Sequence, residues 1–162
     1  MAKPKEEKTN VIRLLEAAGI PCTHYEIDLP KGEVPDGVTA AKLLGKDPDQ
    51  VFKTLVLQGD KTGHVVCVVP GDSEVDLKAL AKASGNKKVE MIAMKDLLSV
   101  TGYIRGGCSP IGMKKFLRTT FHTTAQDFDT IVFSGGKIGR HVELSLADLG
   151  KVIRYSVADI AD

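Results

Sequence analysis

Lys53 is the residue whose type and setting first indicate chemistry in this sequence. It is the only charged residue in the run VFKTLVLQ at residues 51–58. Because side chains alternate across a strand, it shares a face with the apolar residues Val51, Leu55 and Leu57. Two interpretations remain open. Lys53 is either an edge lysine whose ammonium reaches water, or a cation in a cleft that binds a carbonyl, phosphate or ribose oxygen.

Two glycine-rich segments could complete such a cleft. GYIRGGCSPIG at residues 102–112 holds four glycines and one proline, and SGGKIG follows at residues 134–139. Glycine lets a backbone approach closely, and free N–H groups in such a loop can bind an oxygen atom. Neither segment has the spacing of a nucleotide-binding fingerprint, and each alone is typical of a tight turn. Together with the strand lysine, the two loops favour a shared pocket.

Cys108, inside the first loop, is the candidate nucleophile of the chain. A catalytic cysteine needs a lowered pKa or a base, commonly a histidine. The histidines are scattered and show no metal-ligand spacing, and they are His24, His64, His122 and His141. We therefore interpret Cys108 as a small packing residue of the loop. The sequence predicts neither a metal site nor a cofactor.

Composition excludes several classes of protein. In 162 residues, 43% are hydrophobic and the formal net charge is +1, which suits a globular domain and excludes a strongly basic nucleic-acid binder but not a local basic patch. Three separated cysteines and the lack of an apolar leader favour reduced thiols in the cytosol. No apolar stretch is long enough to span a bilayer. We expect a soluble, cytoplasmic protein.

Strand patterns outnumber helix patterns, and the two kinds are interspersed without regular alternation. The order favours an α+β fold with a mixed, mostly antiparallel sheet flanked by helices. We expect one domain at residues 9–162 after a disordered, charged tail at residues 1–8. Helices are predicted after the caps Thr9, Asp76 and Ser145 and at 38–44, with a helical turn at 95–99. Strands are predicted at 22–27, 51–58, 64–70, 88–92, 119–123, 130–133 and 141–144.

Four segments, taken in order, resemble the YbaK/EbsC family, the free-standing branch of the bacterial prolyl-tRNA synthetase editing-domain superfamily. They are FKTLV at 52–56, KKVEM at 87–91, GYIRGGCSPIG at 102–112 and SGGKIGRHVEL at 134–144. The likeness runs from about Thr9 to Ile160. It implies a barrel-like mixed sheet with surrounding helices. It also implies hydrolysis of mischarged aminoacyl-tRNA, characteristically of cysteine on the tRNA for proline.

The resemblance assigns Lys53 as the catalytic, positioning lysine. In the family mechanism the thiol of the substrate attacks its own ester and leaves as a thiolactone, while backbone N–H groups of the first glycine loop contact the carbonyl. No protein nucleophile is then required. The substrate-binding residues that follow from the resemblance are Tyr25, Phe52, Thr54, Gly106, Gly107, Cys108, Ser109, Pro110, Ser134, Gly135 and Gly136.

The implied partners are aminoacylated tRNA(Pro) and prolyl-tRNA synthetase, with no membrane and no DNA. Because the net charge is near zero, the synthetase would supply selectivity for the tRNA. Two alternatives use the same pocket: a deacylase for Ala-tRNA(Pro) or another small amino acid, and a non-catalytic module that binds a nucleotide or the tRNA acceptor end. The predicted phosphate contacts are Lys87, Lys88, Lys114, Lys115, Arg118, Lys137 and Arg140.

Overall fold

The computed structural model describes residues 8–27, 29 and 33–162. Its α-helices begin at a side-chain cap, except the one that follows Ala93. Thr9 Oγ1 accepts a hydrogen bond of 3.3 Å from the N–H of Ile12, and Asp76 accepts one of 3.0 Å from Ala79. Each cap satisfies an N–H that the helix itself leaves unpaired. The α-helices of the described residues are α1 (Asn10–Ala17), α2 (Gly37–Leu44), α3 (Leu77–Ser84), α4 (Met94–Thr101) and α5 (Leu146–Leu149), with 3-10 turns at Pro48–Gln50 and Thr123–Asp127.

The strands form two sheets. A five-stranded sheet has the order β4-β2-β3-β5-β8, and a three-stranded sheet has the order β1-β7-β6. Every pair is antiparallel except β3–β5 and β5–β8, which are parallel. A single parallel bridge between Val51 and Val132 brings the two sheets together. The strands are β1 (Thr23–Glu26), β2 (Phe52–Gly59), β3 (Gly63–Pro70), β4 (Val89–Met91), β5 (Arg118–His122), β6 (Ile131–Ser134), β7 (Arg140–Leu144) and β8 (Ser156–Ala158).

Strand β2 contributes to two hydrophobic cores, one on each face. Phe52 and Val56 join the larger core, which the three-stranded sheet and α1 also enclose. Leu57 joins a smaller core beneath α3. Since β2 lies between β3 and β4 in the sheet and has apolar neighbours on both faces, few of its positions can hold a polar side chain.

The predicted α+β fold is confirmed, and so are the helix caps at Thr9, Asp76 and Ser145. Helix α4 is longer than the turn predicted at 95–99, and the short strand β8 was not predicted. The predicted tail lies outside the described residues except for Lys8, which pairs with Glu16 at 2.9 Å. No helix within the described ranges has the length and apolar composition needed to cross a bilayer.

Candidate functional site

A cavity of about 1020 Å³ opens beside the first half of β2. Its walls come from β2, both glycine-rich loops, the start of α2 and the segment around α4, which are far apart along the chain. Six of the predicted site residues line this cavity. These are Phe52, Lys53, Thr54, Gly106, Cys108 and Ser134.

Lys53 lies half-buried on the wall of this cavity. It pairs with Val69 across the hairpin, and its charge acts on the buried thiol of Cys67, which lies on the neighbouring strand. It makes no hydrogen bond or ion pair with any residue that the structure describes. A half-buried cation without a counter-ion interacts strongly with an anionic or carbonyl oxygen brought into the cavity.

The two glycine-rich loops pack directly against each other. Gly106 has φ +85°, and a Cβ placed on it would lie 2.5 Å from a methyl carbon of Val34. A Cβ on Gly107 would lie 3.2 Å from the backbone of Lys137 and Ile138 in the second loop. A larger side chain at Gly107 would therefore push the second loop away, and one at Gly106 would collide with Val34, which precedes α2.

The first loop has unpaired backbone donors, and two of its residues line the cavity. The N–H of Gly107 is used within the turn, where it donates to Ile104 at 3.0 Å. The N–H groups of Gly106, Cys108 and Ser109 make no hydrogen bond with the part of the chain that the structure describes. Unpaired N–H groups in a cavity that also holds a cation are suited to a carbonyl oxygen that gains negative charge during a reaction.

Cys108 contributes its thiol to the cavity wall in the protonated form. The residue is only 7% exposed and belongs to the larger core. Burial raises the pKa of the Cys108 thiol to about 12, and a hydrogen bond with Thr101 offsets only part of that effect. A thiol with so high a pKa is a poor nucleophile near neutral pH, which agrees with a packing role.

His141 is a cavity residue that the sequence did not single out. It stands opposite Ser134 in the β6–β7 pair, and both line the cavity. Burial lowers the pKa of His141 to about 4, so the ring is neutral near pH 7. Its Nδ1 and the Oγ1 of Thr54 are buried without a hydrogen-bond partner among the described residues. Two such atoms on one cavity wall fit a ligand that supplies the missing hydrogen bonds.

Some apolar residues of the cavity lining are exposed, a second feature with no signal in the sequence. Met94 is 64% and Ile104 is 52% exposed to solvent. Arg105 lies among them and contacts the sulfur of Met94 at 3.6 Å. Exposed apolar groups that flank a cavity are typical of a ligand-binding entrance.

The remaining predicted substrate residues lie outside the cavity lining. Gly107, Ser109, Pro110, Gly135 and Gly136 belong to the two loops but not to the lining itself. Ser109 Oγ instead accepts a hydrogen bond of 3.3 Å from the N–H of Ile111 and so supports the loop.

Tyr25 is also outside the lining. Its hydroxyl donates to Glu143 at 2.5 Å, and Lys46 lies 3.1 Å from the same carboxylate. This polar cluster joins β1, β7 and the end of α2. Direct contact between Tyr25 and a substrate stays a prediction.

The predicted phosphate-binding residues are divided among three segments. One segment surrounds the end of α3, where Arg118 donates to the carbonyl of Ser84 at 3.2 Å. A second follows the first glycine loop, and a third is the second glycine loop, where Arg140 lies 3.8 Å from Glu26. The three groups are Lys87, Lys88 and Arg118; Lys114 and Lys115; Lys137 and Arg140.

Comparison with known proteins shows that this chain is similar to tRNA-editing domains. The model of the aminoacyl-tRNA editing domain family matches residues 32–152. The chain is 50% identical to EbsC of Enterococcus faecalis, whose proposed role is Cys-tRNA(Pro)/Cys-tRNA(Cys) deacylase, over 90% of this chain and 88% of that protein. It is 28% identical to a proline–tRNA ligase of Pelobacter propionicus over 57% of this chain but only 17% of the ligase.

A solved structure also shares the fold. It is that of a protein described as a proposed trans-editing enzyme for prolyl-tRNA synthetase, with a TM-score of 0.81 and 22% sequence identity over 96% of this chain and 99% of the other. At this identity the likeness concerns the arrangement of helices and strands. It confirms the mixed sheet flanked by helices that the sequence predicts.

The low pKa of His141 predicts a pH-dependent loss of stability. The unfolded chain binds a proton on this ring below pH ~6.5, whereas the folded chain resists it until about pH 4. The free energy of unfolding should therefore fall as the pH drops from 7 to 4, by at most ~3 kcal/mol from this group. Urea unfolding at several pH values tests this, and the His141→Gln variant should show a flatter profile. A His141 ring that titrates near pH 6.5 by NMR would contradict the assignment.

Proposed function

This chain belongs to the aminoacyl-tRNA editing domain family, and from that membership we propose that it removes cysteine mischarged onto tRNA(Pro). The observation that carries the proposal is that Lys53, a cation without a described partner, lines the same cavity as Gly106 and Cys108 of the first glycine loop, whose N–H groups are unpaired among the described residues. An aminoacyl ester is already activated. A site that orients it and stabilises negative charge on the carbonyl oxygen is sufficient for its cleavage.

Lys53 would position the ester through its carbonyl or the terminal ribose. The N–H groups of Gly106 and Cys108, which line the cavity, would donate to the carbonyl oxygen as it becomes negative. Thr54 and His141 would supply hydrogen bonds to the amino-acid end of the substrate, since each has a buried polar atom without a described partner. Because His141 is neutral near pH 7, it would not repel the charged amino group of the substrate.

The substrate's own thiol is the proposed nucleophile. Its sulfur would form a bond to the ester carbon, the bond from that carbon to the ribose oxygen would break, and the thiol proton would end on the ribose hydroxyl. The product is a thiolactone, which water then hydrolyses. The positive charge of Lys53 favours the thiolate form of a nearby thiol. Cys108, with its pKa of about 12, takes no part as a nucleophile in this scheme.

Prolyl-tRNA synthetase is the proposed partner, and the cytoplasm the proposed location. A net charge of +1 gives little general attraction to RNA, so selectivity for one tRNA would come from a complex in which the synthetase holds it. The likeness to part of a proline–tRNA ligase supports this pairing.

Deacylation of three charged tRNAs tests the function. Purified chain should release cysteine from Cys-tRNA(Pro) faster than alanine from Ala-tRNA(Pro), and should leave Pro-tRNA(Pro) intact, because only cysteine carries the internal nucleophile. The measurement is loss of radiolabelled ester with time, with synthetase added in a parallel series. Faster hydrolysis of Ala-tRNA(Pro) would instead favour a water-based reaction and the alanine alternative. Hydrolysis of none of them, with tRNA still bound, would favour a binding module.

Replacing Lys53 tests the site. Lys53→Ala should lower the rate of Cys-tRNA(Pro) deacylation by about 10²–10³-fold, the usual cost of losing one electrostatic donor. The matched control is Lys82→Ala, since Lys82 is an exposed lysine on α3 that lines neither described cavity. Circular dichroism confirms that both variants fold. Full activity in Lys53→Ala would remove the lysine from the mechanism.

Cys108→Ala separates the two possible sources of the thiol. The variant should retain deacylation within a few-fold of the parent, because the buried thiol packs in the wall and the substrate supplies the reacting sulfur. Thermal unfolding should show a modest loss of stability from the small cavity created. An inactive Cys108→Ala variant that is folded would show that the protein thiol reacts.

A further inference from the structure

A second cavity lies on the other side of the first glycine loop. It has a volume of about 640 Å³. Gly106 and Cys108 of the loop line the first cavity, whereas Pro110 and Gly112 line the second. Since two residues of extended chain span at most about 7 Å, the two linings come close to each other along the loop between Cys108 and Pro110.

Phe116 is the most distinctive side chain of this second cavity. Its ring is 64% exposed, although most phenylalanine rings are largely covered in folded proteins. The described structure shows no ring contact for Phe116, because the aromatic contact it contains is between Phe121 and Tyr155. Leu14, Val152 and Ile153 add apolar surface around it. The ring thus offers an open, flat face beside an apolar floor.

Three cationic residues line the same cavity as that ring. Lys115, Lys151 and Arg154 line the cavity, and no aspartate or glutamate is among its described lining residues. Lys151 pairs with Asp148 at 3.0 Å through an exposed contact, which water and salt weaken. Lys115 and Arg154 make no hydrogen bond or ion pair with the described chain. The net character of this surface is cationic in a protein whose overall charge is close to zero.

We propose that this second cavity binds an unpaired nucleotide of the tRNA acceptor end, with the base stacked on Phe116 and the neighbouring phosphates held by Lys115, Lys151 and Arg154. An open aromatic ring beside a cationic track is the arrangement by which proteins hold single-stranded RNA. The inference rests on the proposed function, because one RNA strand would place its esterified end beside Lys53 and the preceding nucleotides across the loop. A protein partner would be expected to bring acidic side chains to the same cations.

The test is the binding of an uncharged RNA minihelix that ends in single-stranded CCA and carries fluorescein at its 5′ end. Because this probe has no ester, its binding does not depend on deacylation. Measured by fluorescence anisotropy, Phe116→Leu should raise Kd by about fivefold to a hundredfold, the effect of losing one base–aromatic stack. Phe116→Tyr keeps the ring and should bind like the parent.

Charge variants supply an independent readout. Lys115→Gln and Arg154→Gln should each reduce the slope of log affinity against log salt concentration by about 0.7, the contribution of one phosphate contact on a single strand. Lys82→Gln on α3 is the matched control and should leave the slope unchanged.

Unchanged Kd in Phe116→Leu and unchanged slopes in both charge variants would overturn the proposal. The proposal would also be overturned if these variants bound RNA normally but no longer bound prolyl-tRNA synthetase. That result would identify a protein-docking surface instead. A chain that binds the minihelix through Phe116 but hydrolyses no charged tRNA would contradict the proposed function and support this assignment of the second cavity.

Discussion

Strand β2 must pack against two hydrophobic cores at once, and the position of the site follows from that constraint. Phe52 and Val56 face the larger core, and Leu57 faces the smaller one. Lys53 is half-buried near the start of the strand, close to the bridge between Val51 and Val132 that brings the two sheets together. The cavity opens at that place, where Ser134 and His141 of the second sheet join β2 in its lining.

The cavity around Lys53 contains titratable side chains that are neutral near pH 7. The thiol of Cys108 stays protonated and the ring of His141 stays neutral. The lining also holds Arg105 and Asp36, whose carboxylate accepts a hydrogen bond from an N–H at the start of α2. Low-dielectric parts of the wall screen the field of the lysine weakly. Backbone N–H groups add partial positive charge without a side chain that could itself react. The site is therefore suited to orienting a substrate and stabilising its charge more than to reacting with it through a protein side chain.

Local signals made much of the fold predictable, because a cap or a strand alternation involves only neighbouring residues. Thr9 and Asp76 lie three residues from the N–H groups that they accept from. Strand β8 was missed because Ser156–Ala158 is short and its pairing with β5 joins segments about thirty-six residues apart. The sequence shows that residue 141 is a histidine, but not that its Nδ1 is buried without a described hydrogen-bond partner. That property depends on the pairing of β7 with β6. Residue spacing and family resemblance identified Lys53 and the loops, whereas only the folded chain revealed the open ring of Phe116.

The burial of Cys108 has a consequence for how the site survives its own chemistry. A deacylase for cysteine would repeatedly hold a free thiol and an acyl group that sulfur attacks readily. A reactive protein thiolate in the wall would attack the ester carbon, release the ribose hydroxyl and keep the acyl group as a thioester, and this adduct would block the cavity. At a pKa of about 12 the thiolate of Cys108 is a minute fraction near neutral pH, and attack on the acyl group requires the thiolate. The cavity wall can thus contain the sulfur of Cys108 without being acylated by the substrate.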